Sequence, residues 1–70
     1  MGVNEIKEMY PQGARIKLIR MVDIQSIPSG TKGTVDLVDD MGTIHMKWDN
    51  GRALGLIPEI DEFEIIKEAK

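Results

Sequence analysis

The chain of 70 residues contains no cysteine, one histidine and only three aromatic residues. Without cysteine it can form no disulfide, no thiolate nucleophile and no thiolate metal ligand. A single histidine leaves few members for a Ser–His pair, and a zinc site would have to recruit carboxylates around it. A shaped, water-excluding active site is also hard to build in one domain of this size. The sequence therefore predicts a non-enzymatic domain without a metal or other cofactor.

Long apolar runs and a strongly basic composition are also missing. No stretch approaches the ~20 apolar residues of a membrane-spanning helix, and residues 1–5 lack the basic and apolar parts of a secretion signal. These features predict a cytoplasmic protein with no membrane partner. The net charge of −3 combines +2 in residues 1–35 with −5 in residues 36–70. Overall charge therefore does not favour nucleic acid, although a local basic strip can still contact phosphate.

Alternation of apolar and polar residues from Ala14 onward predicts an all-β fold. The alternating segments give five short strands, at residues 14–18, 34–38, 43–48, 52–56 and 63–65. The parity changes near Ile19, where we expect a bulge, and Asn50-Gly51 favours a tight hairpin. Pro58 indicates a single 3₁₀ turn before the last strand. The sequence therefore predicts a small five-stranded SH3-like barrel.

The predicted barrel spans residues 13–67, preceded by an arm at 1–12 and followed by a solvated tail at 68–70. The arm is a short helix or disordered, with Asn4 as the predicted N-cap. Strand parity points the side chains of Val35, Leu37, Ile44, Met46, Trp48, Leu54 and Leu56 inward. Because aromatic residues are few and methionines number five, the core is adaptable. The sequence is also compatible with a homodimer, with or without a ligand pocket at its interface.

Trp48 is the most informative single residue for function. Its parity assigns it to the core, but it ends its strand at the mouth of the hairpin, where we expect its ring edge to be partly exposed. An exposed tryptophan between charged residues is a typical contact hot spot, and the long loop at 22–30 adds apolar anchors. The predicted residues that bind a protein partner are Ile24, Ile27, Trp48, Asp49 and Arg52.

Cationic side chains on two strands support an alternative function. The outward positions of the first strand hold Arg15 and Lys17, those of the third hold His45 and Lys47, and Arg52 follows the hairpin. If these faces adjoin, they form a basic strip that contacts phosphate. No aromatic residue lies on these faces to stack bases, and outward cations also protect an exposed sheet. The alternative is therefore weak nucleic-acid or ribosome-associated binding through Arg15, Lys17, Lys47 and Arg52.

Three aspartates lie near the predicted turn at 39–42. Asp36, Asp39 and Asp40 resemble calcium ligands, but a loop counted from Asp36 lacks the glycine and the bidentate glutamate of an EF-hand. Aspartates in turns usually accept hydrogen bonds from nearby backbone N–H groups. We therefore expect a turn here and not a metal site.

Several motifs together resemble one family. They are Tyr10-Pro-Gln-Gly13, Gly30-Thr-Lys-Gly-Thr-Val35, Ile44-His-Met-Lys-Trp-Asp-Asn-Gly51-Arg52, Leu56-Ile-Pro58 and Asp61-Glu-Phe63-Glu-Ile-Ile66. The set closely resembles a family of small bacterial, phage and mobile-element domains known as domain of unknown function 4314. The resemblance covers residues 10–66 and implies an SH3-like barrel of unassigned activity, with no catalytic residue. In a phage or mobile-element setting, it implies an interaction module that binds a protein.

Two looser likenesses point in different directions. Gly30-x-x-Gly-x-Val35 is similar to the KOW element of ribosomal and transcription proteins, which would suggest RNA contact. The strand and turn from Met46 to Gly51 look like those of several protein-binding SH3-like barrels. Both likenesses follow from barrel geometry, and a shared fold does not decide function.

Overall fold

The computed structural model describes residues 2–21 and 27–67. They form one helix and four strands, which are α1 (Val3–Met9), β1 (Arg15–Arg20), β2 (Lys32–Val38), β3 (Ile44–Trp48) and β4 (Glu62–Ile66). The strands make one antiparallel sheet in the order β3-β2-β1-β4. The protein is therefore mostly β, as the alternation predicts. Residues 22–26 of the predicted loop and the predicted tail 68–70 lie outside the described residues.

The prediction of a closed five-stranded barrel is wrong for the described residues. Segment 52–56, predicted to be a strand, is linked to β3 by an isolated bridge between Ile44 and Leu56 and by one hydrogen bond from the Trp48 N–H to the Arg52 carbonyl. Two side chains use backbone groups that a strand ladder would need. The Arg52 N–H donates to Asn50 Oδ1, and the Leu54 carbonyl accepts the indole N–H of Trp48. Segment 52–56 therefore bonds to β3 at its two ends but forms no continuous ladder with it, and the sheet stays open.

Two bulges decide which side chains face outward. The register of β1 against β4 shifts between Leu18 and Arg20, which confirms the bulge predicted near Ile19. A second shift, between Val35 and Leu37, interrupts the pairing of β2 with β3. A slip of one residue moves the following side chain to the other face of a strand. Leu37, predicted to point inward, is consequently 49% exposed and lies opposite His45.

The hydrophobic core lies on the inner face of the sheet. Within the described part of the chain it contains nine buried side chains, those of Ile6, Ile16, Leu18, Ile27, Val35, Ile44, Met46, Trp48 and Leu56. The inward prediction for Ile44, Met46 and Trp48 is confirmed, because β3 alternates strictly between buried and exposed residues. The Trp48 ring packs on Gly33, where an added Cβ would lie 2.8 Å from Cε3. Gly33 is needed because no larger residue leaves room for that ring.

Helix α1 packs against this core. A helix this short is marginal in water, and burial of Ile6 holds it in place. Its N-cap is Gly2, whose backbone is extended and makes no side-chain cap bond, so the prediction of Asn4 as N-cap is wrong. The Tyr10 N–H donates to the Ile6 carbonyl at the C-terminal end. Among the described residues, no helix has the length and apolar content needed to cross a membrane.

Candidate functional site

The structure buries two of the residues predicted to bind a partner. Trp48 is only 3% exposed and Ile27 only 2%, so the expectation of a partly exposed Trp48 is wrong. The indole Nε1 donates to the Leu54 carbonyl at 2.7 Å, which satisfies the one polar group of the ring. Neither side chain can serve as a surface anchor while the core is intact. Ile24 lies outside the described residues.

Asp49 is exposed but already engaged. Its carboxylate accepts two hydrogen bonds from the Arg15 guanidinium, at 2.8 Å from Nη1 and 2.6 Å from Nη2. Arg15 Nη1 also donates to Thr34 Oγ1 at 2.9 Å. The hydrogen bond from Arg15 and its positive charge hold the pKa of Asp49 below its ordinary value. Asp49 thus fastens the turn at 49–51 to β1, and Arg52 is exposed beside it.

The outer face of the sheet carries the predicted basic strip. Arg15 pairs in register with Thr34, and Thr34 pairs with Lys47, so one row crosses β1, β2 and β3. Carboxylates accompany most of these cations, because Arg15 binds Asp49 and Lys47 lies 3.8 Å from Asp36. The strip is therefore a mixed surface of both signs.

Lys17 faces another cation across the strand pair. Its register partner on β2 is Lys32, which the sequence reasoning missed. Lys32 lies two residues before Thr34, with the same parity, and the start of β2 at Lys32 makes it part of the outer face. Like charges directly opposite on a sheet repel each other. Carboxylates lie near this pair as well, because Glu64 of β4 is opposite Lys17 and the charge of Lys32 helps to lower the pKa of Asp49.

The turn at 39–42 is organised by Asp39. Its Oδ1 accepts the N–H groups of Met41 at 2.9 Å and Thr43 at 3.0 Å, and its Oδ2 lies 2.9 Å from His45 Nε2. The bond to His45, followed by those from the two backbone N–H groups, lowers the pKa of Asp39. The predicted aspartate turn is confirmed. Across the described ranges, no group of three metal-ligating side chains comes together.

An apolar cleft opens where α1 meets this turn. It is lined by Val3, Ile6, Met41, Gly42, Ile57, Pro58 and Glu59 and has a volume of about 190 Å³. We call it the α1 cleft. Met41 stands at its edge with 90% of its surface exposed, and Ile57 is also exposed. A wider groove of about 430 Å³ runs along Lys7, Tyr10 and Leu37 and has more charged groups in its walls.

Backbone features bring the walls of the cleft together. Gly42 has a φ of +84°, and a Cβ there would lie 3.2 Å from Ile6 Cδ1, so the turn can approach α1 only through glycine. The bridge between Ile44 and Leu56, with N–H···O distances of 2.9 and 2.8 Å, brings the segment after Gly42 beside the segment before Ile57.

Asp61 shapes the other side of the cleft. Its Oδ2 accepts the Ile57 N–H at 2.9 Å, and its own N–H donates to the Ile57 carbonyl at 2.9 Å. The Ile60 N–H donates to the same carbonyl at 3.0 Å, which is the i to i+3 bond predicted around Pro58. The Asp61 side chain is buried, so the turn at 57–60 is closed from within and leaves Ile57 and Ile60 exposed.

Sequence reasoning missed the α1 cleft. One signal was available, because an apolar residue at the tip of a polar turn, Met41, is unusual. The other signal was the pair of isoleucines around Pro58. Neither residue indicates a cleft alone, since the cleft exists only when the helix and both turns meet.

Comparison with known proteins identifies the family. The search of curated proteins and the search of solved structures each gave no significant match. One family model matches residues 1–66, nearly the whole chain. This match confirms the resemblance carried by the sequence motifs. The chain therefore belongs to the family described as Domain of unknown function (DUF4314).

Proposed function

We propose that this domain is a non-enzymatic interaction module that binds a protein at the α1 cleft. The observation that carries the proposal is the exposure of Met41, at 90%, beside an apolar cleft. Single exposed apolar residues are ordinary, but contiguous apolar surface bordering a concave site is typical of contact surfaces. Methionine also adapts its shape to a partner.

The proposed class of function is the one predicted from the sequence, but the proposed binding surface is a different one. Burial of Ile27 and Trp48 removes two anchors from the predicted interface, while Met41, Ile57 and Val3 supply apolar contacts at the α1 cleft. A cytoplasmic setting, a phage or mobile-element origin and kinship with SH3-like domains remain part of the proposal, the last two from the family resemblance. Asp49 and Arg52 stay candidates for a second contact.

Affinity capture followed by reconstitution tests the proposal. The full chain and the variant Met41→Ser/Ile57→Ser are used as baits in a lysate of the source organism, with Leu37→Ser as a matched control. Leu37 is comparably exposed to Ile57 but lies on the outer face. A partner that the wild type captures is then purified, and its Kd is measured by calorimetry.

We expect the double variant to bind that partner at least about tenfold more weakly. Leu37→Ser should bind like the wild type. Equal affinity of the double variant and the wild type for every captured partner would refute the cleft as the binding surface. Circular dichroism of each variant checks that the sheet is retained.

A second candidate function is weak binding of nucleic acid through Arg15, Lys17, Lys47 and Arg52. The observation in its favour is that Lys17 and Lys32 face each other across β1 and β2 on the outer face. Phosphate contacts would make binding fall steeply as salt rises from about 50 to about 200 mM. Fluorescence anisotropy with a labelled single-stranded RNA measures that slope, and Lys17→Gln/Lys32→Gln should reduce it. Absence of binding at the lower salt concentration would eliminate this candidate.

A further inference from the structure

The α1 cleft lies between the two acidic parts of the chain. The first is the turn at 39–42, which contributes Asp40 next to Met41, and the second is the turn at 57–60, which contributes Glu59 to the lining. In the sequence these acids are almost twenty positions apart, and the Ile44–Leu56 bridge brings their segments together. The rim of the cleft therefore carries negative charge from Glu59 in the lining and from Asp40, which adjoins the lining residue Met41.

The rim charge is accessible to a partner. The Asp40 side chain is 99% exposed, and its one described ion pair is with Lys7 at 3.1 Å. Ion pairs at this exposure contribute little to stability, and a competing cation can replace one member at small cost. Glu59 is exposed as well. Both carboxylates can thus face a positive group that approaches the cleft.

The size of the cleft limits what enters it. An apolar cavity of about 150 Å³ is large enough for a benzene-sized group, and the α1 cleft measures about 190 Å³. One aliphatic or aromatic side chain fills such a volume. Met41 at the edge can then close over the inserted group, since an unbranched thioether side chain has several rotatable bonds.

A second copy of this chain would not complement the negative charge at the rim of the cleft. A symmetric contact through the cleft would bring together the surfaces of both protomers that carry Asp40 and Glu59. Each copy also carries a net charge of −3, and like-charge contacts across an interface oppose association. The occupant must therefore be a different chain with positive charge around an apolar anchor.

We propose that the α1 cleft binds a basic amphipathic segment of a partner protein, which inserts one apolar side chain and places Lys or Arg against Asp40 and Glu59. This assignment rests on the proposed function and adds the chemistry of the partner. The apolar anchor supplies affinity, while the charged rim selects basic over acidic segments and accelerates encounter.

Three short synthetic peptides test the assignment on the full chain. The first places Leu on one face and Lys on the opposite face of a helix, the second has Glu in place of each Lys, and the third has Ser in place of each Leu. Each is titrated into protein labelled at the Met and Ile methyl groups and followed by NMR. The Leu/Lys peptide should shift the methyl signals of Met41 and Ile57 and bind at least about tenfold more tightly than either control.

Charge variants measure how much the rim carboxylates contribute to peptide binding, apart from the apolar cleft. The double variant Asp40→Asn/Glu59→Gln should bind the Leu/Lys peptide several-fold more weakly and with little dependence on salt. The matched control is Glu64→Gln, an exposed carboxylate opposite Lys17 on the outer face, which should leave the affinity unchanged. Equal binding of the Leu/Lys and Leu/Glu peptides, or shifts confined to residues outside the cleft, would overturn the assignment.

The outcomes also distinguish this assignment from the proposed function. If Met41→Ser/Ile57→Ser loses the native partner but Asp40→Asn/Glu59→Gln retains it at full affinity, the cleft is the binding surface and the basic partner is wrong. If neither variant affects the native partner, the proposed function itself fails. Concentration-dependent shifts of Met41 in the absence of peptide, together with a dimer in sedimentation equilibrium, would assign the cleft to a second copy and overturn the basic partner.

Discussion

The two turns that flank β3 are built from the same local chemistry. The first turn, at 39–42, and the second turn, at 49–51, each begin with an aspartate whose pKa is lowered. Each ends with a glycine in the left-handed region, with φ of +84° at Gly42 and +90° at Gly51. The sequence predicts a partner contact at the second turn, through Asp49, and a plain turn at the first.

Their surroundings make them different. Gly42 lies under α1, close to Ile6 and Val3, whereas a Cβ placed on Gly51 would have no atom of the described residues within 4 Å apart from its chain neighbours. The first turn exposes Met41 beside the α1 cleft, whereas the aspartate of the second turn binds Arg15 and fastens that turn to β1. Local chemistry thus makes a turn, and tertiary contacts decide whether the turn forms part of a site or part of the scaffold.

Alanine in place of the two glycines gives the largest expected difference. Left-handed backbone costs a non-glycine residue about 1–2 kcal/mol, so Gly51→Ala should lose about that much. Gly42→Ala should lose about 2–4 kcal/mol, because its Cβ must also push against the buried Ile6 side chain. Urea unfolding measures both variants. Methyl NMR of Ile6 should show a displaced helix for Gly42→Ala alone.

Gly30→Ala is a further control, since Gly30 has a φ of +89° and an open surrounding like that of Gly51. It should match Gly51→Ala. Equal losses at Gly42 and Gly51 would show that the contact with α1 adds nothing, and the contrast between the two turns would then fail.

The strands and both turns could be predicted because they depend on neighbours in sequence. The alternation of apolar and polar residues predicted the bounds of β3 to within one residue, and the change of parity predicted the bulge near Ile19. The bulge between Val35 and Leu37 could not be predicted, since Val35-Asp-Leu37 alternates without interruption. The open sheet was not predicted, because the hydrogen bond from the Trp48 indole to the Leu54 carbonyl forms only in the folded chain.

Trp48→Phe tests how the chain after the second turn is held. Phenylalanine keeps an aromatic ring on Gly33 but removes the donor to Leu54, so the variant should lose about 1–2 kcal/mol. Exchange of the Leu56 N–H, which donates to Ile44, should become faster. Iodide should barely quench wild-type Trp48, because the ring is buried. Unchanged stability of Trp48→Phe would mean that the indole bond does not hold segment 52–56.

Acid should weaken both turns by a smaller amount, since both carboxylates are partly exposed. The folded-state pKa of Asp39 and of Asp49 is lowered. Their contribution to stability is therefore complete above the ordinary carboxyl pKa of about 3.9 and is lost as the pH falls through the lowered values. Urea unfolding as a function of pH should show this loss, and Asp39→Asn and Asp49→Asn should each reduce it.

Added salt should change the stability contributions of Asp39 and Asp49 to different extents. Asp49 depends on the charge of Arg15, so added salt should reduce its contribution. Asp39 also accepts backbone N–H groups from Met41 and Thr43, and Asp39→Asn can still accept them. We therefore expect Asp39→Asn to keep the turn and Asp49→Asn to release Arg15. An acid profile that is the same in both variants and the wild type would refute the pKa assignments.

The candidate site was predicted less well than the fold, and the reason lies in Trp48 and Met41. Sequence reasoning gives weight to tryptophan at a hairpin mouth, but Gly33 has no Cβ and so leaves room for the ring inside. Met41 was not predicted as a site residue, because a single apolar residue in a turn forms no periodic pattern with its neighbours in the sequence. Its neighbours in the cleft come from α1 and from the turn at 57–60, and these contacts follow from the tertiary fold alone.

Met41→Ser should change stability least and binding most selectively. With 90% of its surface exposed, Met41 loses almost no buried contact on truncation, so the free energy of unfolding should stay within about 0.5 kcal/mol of the wild type. Met41→Leu should retain affinity for the native partner and for the Leu/Lys peptide, whereas Met41→Ser should lose it. Asn50→Asp at the tip of the second turn keeps the acceptor for the Arg52 N–H and should leave both stability and affinity unchanged. If Met41→Ser binds as well as Met41→Leu, the two turns differ in their packing but not in function.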